Sequence, residues 1–487
     1  DMLGRREHRY STMAARLSLL WFLLFCACVV PGASGSTSPP AVGSYTPLGV
    51  HLGVSQPESS SVFVTWTAAA APPSSLDTVK GWVEWGPIPG SYGSSHPADP
   101  PSTYCQDCTP AWTGSIFRAS MVNLAPSTRY YYRVAILVAG EDSQPSYSRE
   151  FSFVTLPDST TSTADLTVLL LGDQGAYPSS QALLQKLQSP QVNVNSWADM
   201  VLAPGDLAYA DGVESVWDLY ANISEPLQAT IPTCVSSGNH ENYYDFAGYK
   251  NRFQFPQTNA PSSGRSSMNA TALYYSFSVG TVHWVVISTE ESITPGSPQY
   301  LWLMEELRNA NEPERRTRTP WLVVVNHRPL YCSNEFKWCS GSDNAEGLRS
   351  ILEPLLFAFR VNVFISGHVH SYERTSPVHQ GNVTGSYEHP KATVHVITGT
   401  GGAELEEKWK APPDWSLFRN NEFGFTKMTV SGTKSITFTQ FSCGLQCSED
   451  VRMVDSFTLY PAEWSGWVTS SAPPTSSPSH RLRGGGM

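Results

Sequence analysis

Five short apolar runs in the middle of this chain each end on a residue able to bind a metal ion. They read TVLLLGDQG, MVLAPGDLAY, TCVSSGNHE, WLVVVNHRP and NVFISGHVH. Their terminal donors are Asp173, Asp206 with Tyr209, Asn239 with His240, His327, and His368 with His370. Continuous runs of Val, Ile and Leu this short are the signature of strands buried on both faces, as in parallel-type sheets. In open α/β sheets the ligand lies just beyond the carboxyl ends of such strands. The pattern predicts five strands that deliver carboxylate, phenol, amide and imidazole groups to one edge, where they would build a metal cage. Singly, each donor has an ordinary explanation as a helix cap, a turn former or a satisfied polar group at a strand end. Five strand ends in succession are not what caps and turns produce. The run VHWVVIST is equally apolar but ends in STEES, so ligand endings belong to particular strands; Glu290 and Glu291 are read there as solvated or capping residues.

Amphipathic stretches separate these runs: SSQALLQKLQ, SVWDLYANISEPLQAT, PQYLWLMEELRNA and AEGLRSILEPLLFAF. Strand–helix alternation predicts an α/β domain, and Pro354 predicts a kink or an early end in the last helix. TALYYSFSVGTVHWVVIST reads as an inserted hairpin, which makes the sheet mixed. Residues 44–156 differ: SVFVTWTA, VKGWVEWG, FRASMVNL, TRYYYRVAIL and REFSFVTL are short, aromatic and β-branched, with no helical pattern between them. They predict a small β-sandwich, followed by a polar linker at 157–165. The α/β domain is expected over 165–400, a β extension over 401–462 and a disordered tail over 463–487.

Residues 1–35 read as an export signal, with four arginines ahead of LSLLWFLLFCACVV and then PGASGS; Met13 is the expected start. The apolar run is roughly 14 residues against the ~20 needed to span a bilayer, so no stable membrane anchor is expected and the product is placed in the secretory lumen or outside the cell. Three close cysteine pairs, Cys105/Cys108, Cys332/Cys339 and Cys443/Cys447, suit local disulfides in an oxidising compartment. Cys234 is left over as a buried thiol. Asn222, Asn269 and Asn382 open glycosylation sequons. A net charge of −11 lacks the basic footprint of a nucleic-acid binder, and no oligomeric signal is read.

The chemistry centres on Asp206, whose carboxylate has two oxygens and can bridge two cations. Such a pair activates water and stabilises both oxygens of an in-line displacement. A donor set of O and N, without thiolate, suits Fe, Mn or Zn rather than Ca or Mg.

In this order the blocks GDQG, GDLAY, GNHE, VVNH and GHVH resemble those of the purple acid phosphatases, within the metallophosphoesterases. The resemblance extends to GHVHSYERTSPV, to the N-terminal TPLGVHLGV…LAPSTRYYYRV…FSFVT, similar to that family's fibronectin-III-like domain, and to VDSFTLY. It implies a mixed-sheet α/β/β/α catalytic sandwich behind an all-β domain. It also implies Asp173, Tyr209 and His370 on Fe(III), Asn239, His327 and His368 on divalent Zn, Mn or Fe, and Asp206 between them. Ordinary metallophosphoesterases carry a histidine where this chain has Gly175; Tyr209 replaces that imidazole with a phenolate that favours Fe(III) and would colour the protein. The implied function is a secreted acid phosphatase acting on small phosphate monoesters through a metal-acidified hydroxide. Asn239 and His240 would contact substrate, and His240 would hold the phosphoryl group or protonate the leaving oxygen. Alternatives are phosphodiesterase or nucleotide pyrophosphatase activity on the same core, or a non-catalytic binding module. Plant members carry adjacent histidines after the fourth block; RPLYCSNEFKWCSGSDN has none, which is closer to the animal-type branch and leaves Tyr331, Asn334 or Lys337 as candidate substrate contacts, with Cys332–Cys339 fixing the loop over the site. Ser237 stands where the family usually has proline, a change expected to affect loop stiffness alone.

Overall fold

Period-two burial shapes the N-terminal part. In the computed structural model, which describes residues 45–461 apart from 57–58, 70–77, 106, 140–143, 159–164, 257–270, 341–344 and 407, it contains β1 (Leu48–Val54), β2 (Ser61–Ala68), β3 (Val79–Gly86), β4 (Ser94–Pro97), β5 (Ser115–Val122), β6 (Arg129–Val138), β7 (Ser146–Tyr147) and β8 (Phe151–Val154). The expected leader, Asn269 and the whole of the tail lie outside the described residues. One sheet holds β1, β2 and β5; the other holds β3, β4, β6, β7 and β8. In the core between them the rings of Trp66 and Phe117 stack at 5.5 Å, with Val83, Tyr132 and Phe153 packed in the same cluster.

The α/β part opens with β9 (Leu166–Leu170), α1 (Pro178–Gln188), β10 (Met200–Pro204), α2 (Ser215–Gln228) and β11 (Thr233–Ser236), and its three strands run parallel. After α3 (Ala247–Arg252) come the antiparallel pair β12 (Tyr275–Val279) and β13 (Val282–Val286), then α4 (Pro298–Ala310), α5 (Pro313–Arg318), β14 (Trp321–Val325), α6 (Ala345–Ala358) and β15 (Val363–Ser366). The chain closes with β16 (Tyr372–Thr375), the small hairpin β17 (Val378–His379) and β18 (Asn382–Val383), β19 (Val394–Thr398), β20 (Ser416–Asn420), β21 (Gly424–Ser431), β22 (Ser435–Ser442) and β23 (Arg452–Leu459).

These strands form two mixed sheets packed face to face. Val168, Leu202 and Cys234 of one sheet meet Trp284, Val323, Ile365 and Val396 of the other in a single buried cluster. Leu183, Leu184 and Leu187 of α1 cover the outer face of the first sheet, and Leu303 of α4 with Leu352 and Leu356 of α6 cover the second. The layers are therefore α/β/β/α, as expected. One expectation changes: the five ligand-bearing strands do not share one sheet edge. β9, β10 and β11 belong to the first sheet and β14 and β15 to the second, so the donors meet where the carboxyl ends of two sheets converge. Pro354 neither ends nor divides α6; Leu352, Leu355 and Leu356 are buried around it, and this packing outweighs the lost backbone bond.

The N-terminal sandwich is not a separate bead. β1 lies parallel beside β11, with Gly53 opposite Thr233, so the first sheet runs through both parts in the order β23-β22-β21-β9-β10-β11-β1-β2-β5. Tyr132 Oη donates to the Ala229 carbonyl at 2.7 Å, and Arg252 Nε donates to Tyr104 Oη at 2.6 Å.

Candidate metal centre

Each strand ends in a turn that aims its donor inward. Asp173, Asp206, Tyr209 and His368 all take left-handed backbone, with φ of 56°, 51°, 53° and 68°. That conformation costs a side-chain-bearing residue about 1–2 kcal/mol and persists where the surroundings over-determine it. Here backbone bonds do so: Asp173 N–H donates to Gly205 O, Gln174 N–H to Asp206 O, and Gly175 N–H to Leu207 O. Glu241 adds a buried brace. Its carboxylate accepts the N–H groups of Asp206 (2.8 Å), Leu207 (2.9 Å) and Gly238 (2.8 Å). Burial and the neighbouring Asp206 raise its pKa to about 7.

The donors converge. Asp206, His327 and His368 bring ligand atoms within 4.8 Å of one another, and so do Asp173, Asp206 and His370. Asp206 belongs to both groups, the position a bridging carboxylate requires. Around the first group, His327 Nε2 lies 3.1 Å from Asp206 Oδ2, 3.2 Å from Asn239 Oδ1 and 3.2 Å from His368 Nδ1. Around the second, Tyr209 Oη lies 2.8 Å from His370 Nε2 and 3.3 Å from Asp173 Oδ1. All seven predicted donors are thus brought together.

The tautomers show that this set fits cations. His327 Nδ1 faces the Pro204 carbonyl at 2.9 Å and His370 Nδ1 faces the Glu404 carbonyl at 2.5 Å. A carbonyl can only accept, so each Nδ1 carries hydrogen and each Nε2 of the neutral ring presents a lone pair. Those lone pairs point at carboxylate, amide and phenol oxygens. Around His327 acceptors face acceptors, which require a proton or a metal ion between them. At His370 the Tyr209 O–H can itself donate to Nε2 at 2.8 Å, a bond a cation would replace. Burial alone would lower His327, but the Asp206 carboxylate outweighs it and pushes the imidazole up to about 10. Burial, then Asp173 and Asp206, holds the Tyr209 phenol well above its ordinary value, so a phenolate there needs a strong cation beside it. Gly175 fits the same scheme: a Cβ on it would stand 2.2 Å from the Tyr177 ring and 3.1 Å from the Tyr209 ring. A larger residue there would have to displace the Tyr177 ring and would crowd Tyr209.

His240 stands at the mouth, half-buried, with its ring centroid 4.2 Å from that of Tyr209. Its N–H donates to Asp206 Oδ1 at 3.0 Å and its Nδ1 lies 2.5 Å from Asp211 Oδ1. Burial works against the charged ring, but Asp206 and Asp211 prevail and raise it to about 9. Nε2, not bound by Asp211, remains for a ligand.

Several contributors have no role in the sequence reading. Asp211 carried a signal, the second carboxylate of GDLAYAD; Glu241 stood in the GNHE block without a part assigned. Glu290 is a correction. Its side chain is 6% exposed and makes a bidentate pair with Arg328 (2.6 and 2.8 Å), whose Nη1 lies 3.2 Å from His368 Nε2. Ser237 is another: its Oγ donates to Ser288 Oγ at 2.9 Å, tying the end of β11 to that of β13, a bond proline could not make. Tyr331 is buried with its hydroxyl on Glu353 and Gly381 N–H. Asn334 is buried and bonded to Phe336 N–H and Glu406 O. Neither is offered to a substrate, whereas Lys337 is exposed on the loop. Sulfurs are paired as Cys105–Cys108, Cys332–Cys339 and Cys443–Cys447, and Cys234 is a buried thiol.

Comparison with known proteins gives the same picture. Residues 163–372 match the family model for calcineurin-like phosphoesterases, residues 47–155 that for the purple acid phosphatase N-terminal domain, and residues 392–445 that for the iron/zinc purple acid phosphatase-like protein C. Purple acid phosphatase 22 of Arabidopsis thaliana is 32% identical over 371 residues, which is 73% of this chain and 74% of that one. Acid phosphatase type 7 of Mus musculus is 30% identical over 433 residues, 84% of this chain and 90% of that one. Among solved structures, purple acid phosphatase PPD1 from yellow lupin seeds superposes with a TM-score of 0.72 at 26% identity, covering 86% of this chain and 75% of its own. With its strand-end donors, its β-sandwich and these matches along most of its length, the chain belongs to the purple acid phosphatase family.

Proposed function

We propose that this protein is a secreted acid phosphatase that hydrolyses small phosphate monoesters at a pair of metal ions. Asp173, Tyr209 and His370 would hold Fe(III), and Asn239, His327 and His368 a divalent Zn, Mn or Fe, with Asp206 between the two. The observation that carries the reading is the His327 lone pair aimed at carboxylate and amide oxygens, within two groups of ligand atoms that share Asp206, with the His327 and His370 tautomers fixed from behind by backbone carbonyls. When bound, the metal pair would supply Lewis-acid stabilisation of the phosphoryl oxygens and water acidic enough to act as nucleophile at low pH.

The chain's own residues supply the rest. His240 is held as a cation by Asp206 and Asp211, so in acid its Nε2–H can donate to a phosphoryl oxygen or to the leaving oxygen. Asp211 fixes the ring so that Nε2 keeps one direction. Asn239 and His240 follow each other on the turn after β11 and would meet the substrate together. Secretion is supported by the three disulfides and by the exposed sequon residues Asn222 and Asn382.

The test is direct. The purified protein should carry two metal ions per chain, absorb in the visible and cleave p-nitrophenyl phosphate faster than bis(p-nitrophenyl) phosphate. A colourless, metal-free protein would refute the metal assignment, and preference for the bis-ester would make it a phosphodiesterase.

A further inference from the structure

The segment after His327 folds into a rigid lip whose two aromatic rings stand beside the proposed divalent site. Phe336 and Trp338 each meet the His368 imidazole edge to face, with ring centroids 5.4 Å away and interplanar angles of 69° and 87°. His368 is itself one of the donors and presents Nδ1 to His327 Nε2 at 3.2 Å, so both rings pack directly against the proposed divalent site. Both are only half-buried. The polar and cationic partners of the indole are already committed: Trp338 Nε1–H donates to Pro329 O at 2.9 Å, and the Arg328 guanidinium lies over the ring at 4.8 Å, anchored to Glu290. What the lip offers a ligand is apolar ring surface.

The lip is also pre-organised. Cys332–Cys339 closes it. Glu335 N–H donates to Lys408 O at 2.9 Å, and Lys410 N–H donates to Ser333 O at 3.0 Å. Ser333 is itself bonded through N–H and Oγ to the buried Glu373, and Lys410 Nζ reaches the Cys339 carbonyl at 3.0 Å. A surface fixed in this way can bind a flat group without first being ordered.

We propose that Phe336 and Trp338 form a subsite for the organic part of the substrate and select phosphate esters of planar aromatic groups over those of small aliphatic alcohols. This rests on the phosphatase reading above and names its substrate class. Arg328 and the disulfide act as positioning elements for the two rings. A ring packed against an aromatic side chain is favoured by roughly two- to tenfold per contact, so the pair should discriminate by about four- to a hundredfold.

The experiment measures binding of phenylphosphonate and of methylphosphonate, neither of which is hydrolysed, to the metal-loaded full chain by calorimetry, with inorganic phosphate as reference. Wild type should favour phenylphosphonate over methylphosphonate by about tenfold. Trp338→Ala and Phe336→Ala should each reduce that ratio several-fold and leave phosphate affinity unchanged; Trp338→Phe should restore most of it and shows that the loop still folds. Mild reduction of Cys332–Cys339 should lower the ratio in the same direction. The kcat/KM ratio for phenyl over ethyl phosphate should fall in parallel. If phosphate binds but the phenyl-to-methyl ratio is near one, or is the same in both alanine variants, the subsite is disproved and the phosphatase reading stands. If neither phosphonate nor phosphate binds, both fall.

Discussion

At Asp206 one carboxylate answers to both halves of the centre, so its removal should not be partial. Asp206→Asn keeps size and most hydrogen bonds but loses the bridging charge; both metals should be lost on dialysis, with activity at background, read by elemental analysis. Tyr209→Phe should remove the visible band and weaken iron retention while some activity remains. Asp211→Asn tests the partner that holds His240. The imidazole is raised from 6.5 to about 9, so folding favours its protonated form; the stability this brings is complete below pH 6.5 and is lost as pH rises through about 9. In the metal-free protein, NMR titration should place His240 near 9, and Asp211→Asn should move it down by about one unit or more. The same sign governs metal loading. A proton held on His327 up to about 10 must leave before its Nε2 can ligate, so metal affinity should rise with pH and binding should release protons into a weak buffer. The seven donors are legible in sequence because each ends an apolar run. The residues that tune them are not: Arg328 finds Glu290 and His240 finds Asp211 across separate loops, and no periodicity records which loops meet.

Among the elements, the turns beyond the strands do more than the strands themselves. Glu241 braces three N–H groups of two turns from one buried carboxylate. Glu241→Gln would set an amide N–H against one of them, leaving a buried donor unmet at a cost of about 1–3 kcal/mol. A lower melting temperature in the metal-free protein and roughly 10–100-fold weaker metal binding are expected, measured by calorimetry and competitive chelation. Strands and helices are legible wherever burial sets a pattern, a continuous apolar run along β9 and β10 or a helical period along α1. Local rules mislead where packing overrides them. α6 passes Pro354 and α2 contains Pro226, because the apolar stripes of both helices continue beyond the proline. The lip after His327 shows the other limit: its shape comes from bonds to Glu406, Lys408 and Lys410, and its own composition contains no trace of them.

For the molecule as a whole, the alternation of elements reveals an α/β part and a β part but not their seam. Strand order across a sheet is set by long-range pairing, and the single register point Gly53↔Thr233 decides it. Val54 lies in the cluster between the two catalytic sheets and His51 Nε2 bonds the Arg252 carbonyl at 2.8 Å. A chain begun at residue 165 would expose the edge of β11 together with apolar surface that β1 covers. It should aggregate or melt far below the full-length protein, checked by size-exclusion chromatography and thermal unfolding; a stable, metal-binding monomer would show that β1 is dispensable. The shared sheet also bears on inheritance. A sandwich joined by a loop could be exchanged for another by recombination in the linker at 157–165. Here the donor module must bring a strand that fits the open edge beside Thr233, so the two parts are constrained to diverge together, and lineages should differ in loops and lips long before they differ at this seam.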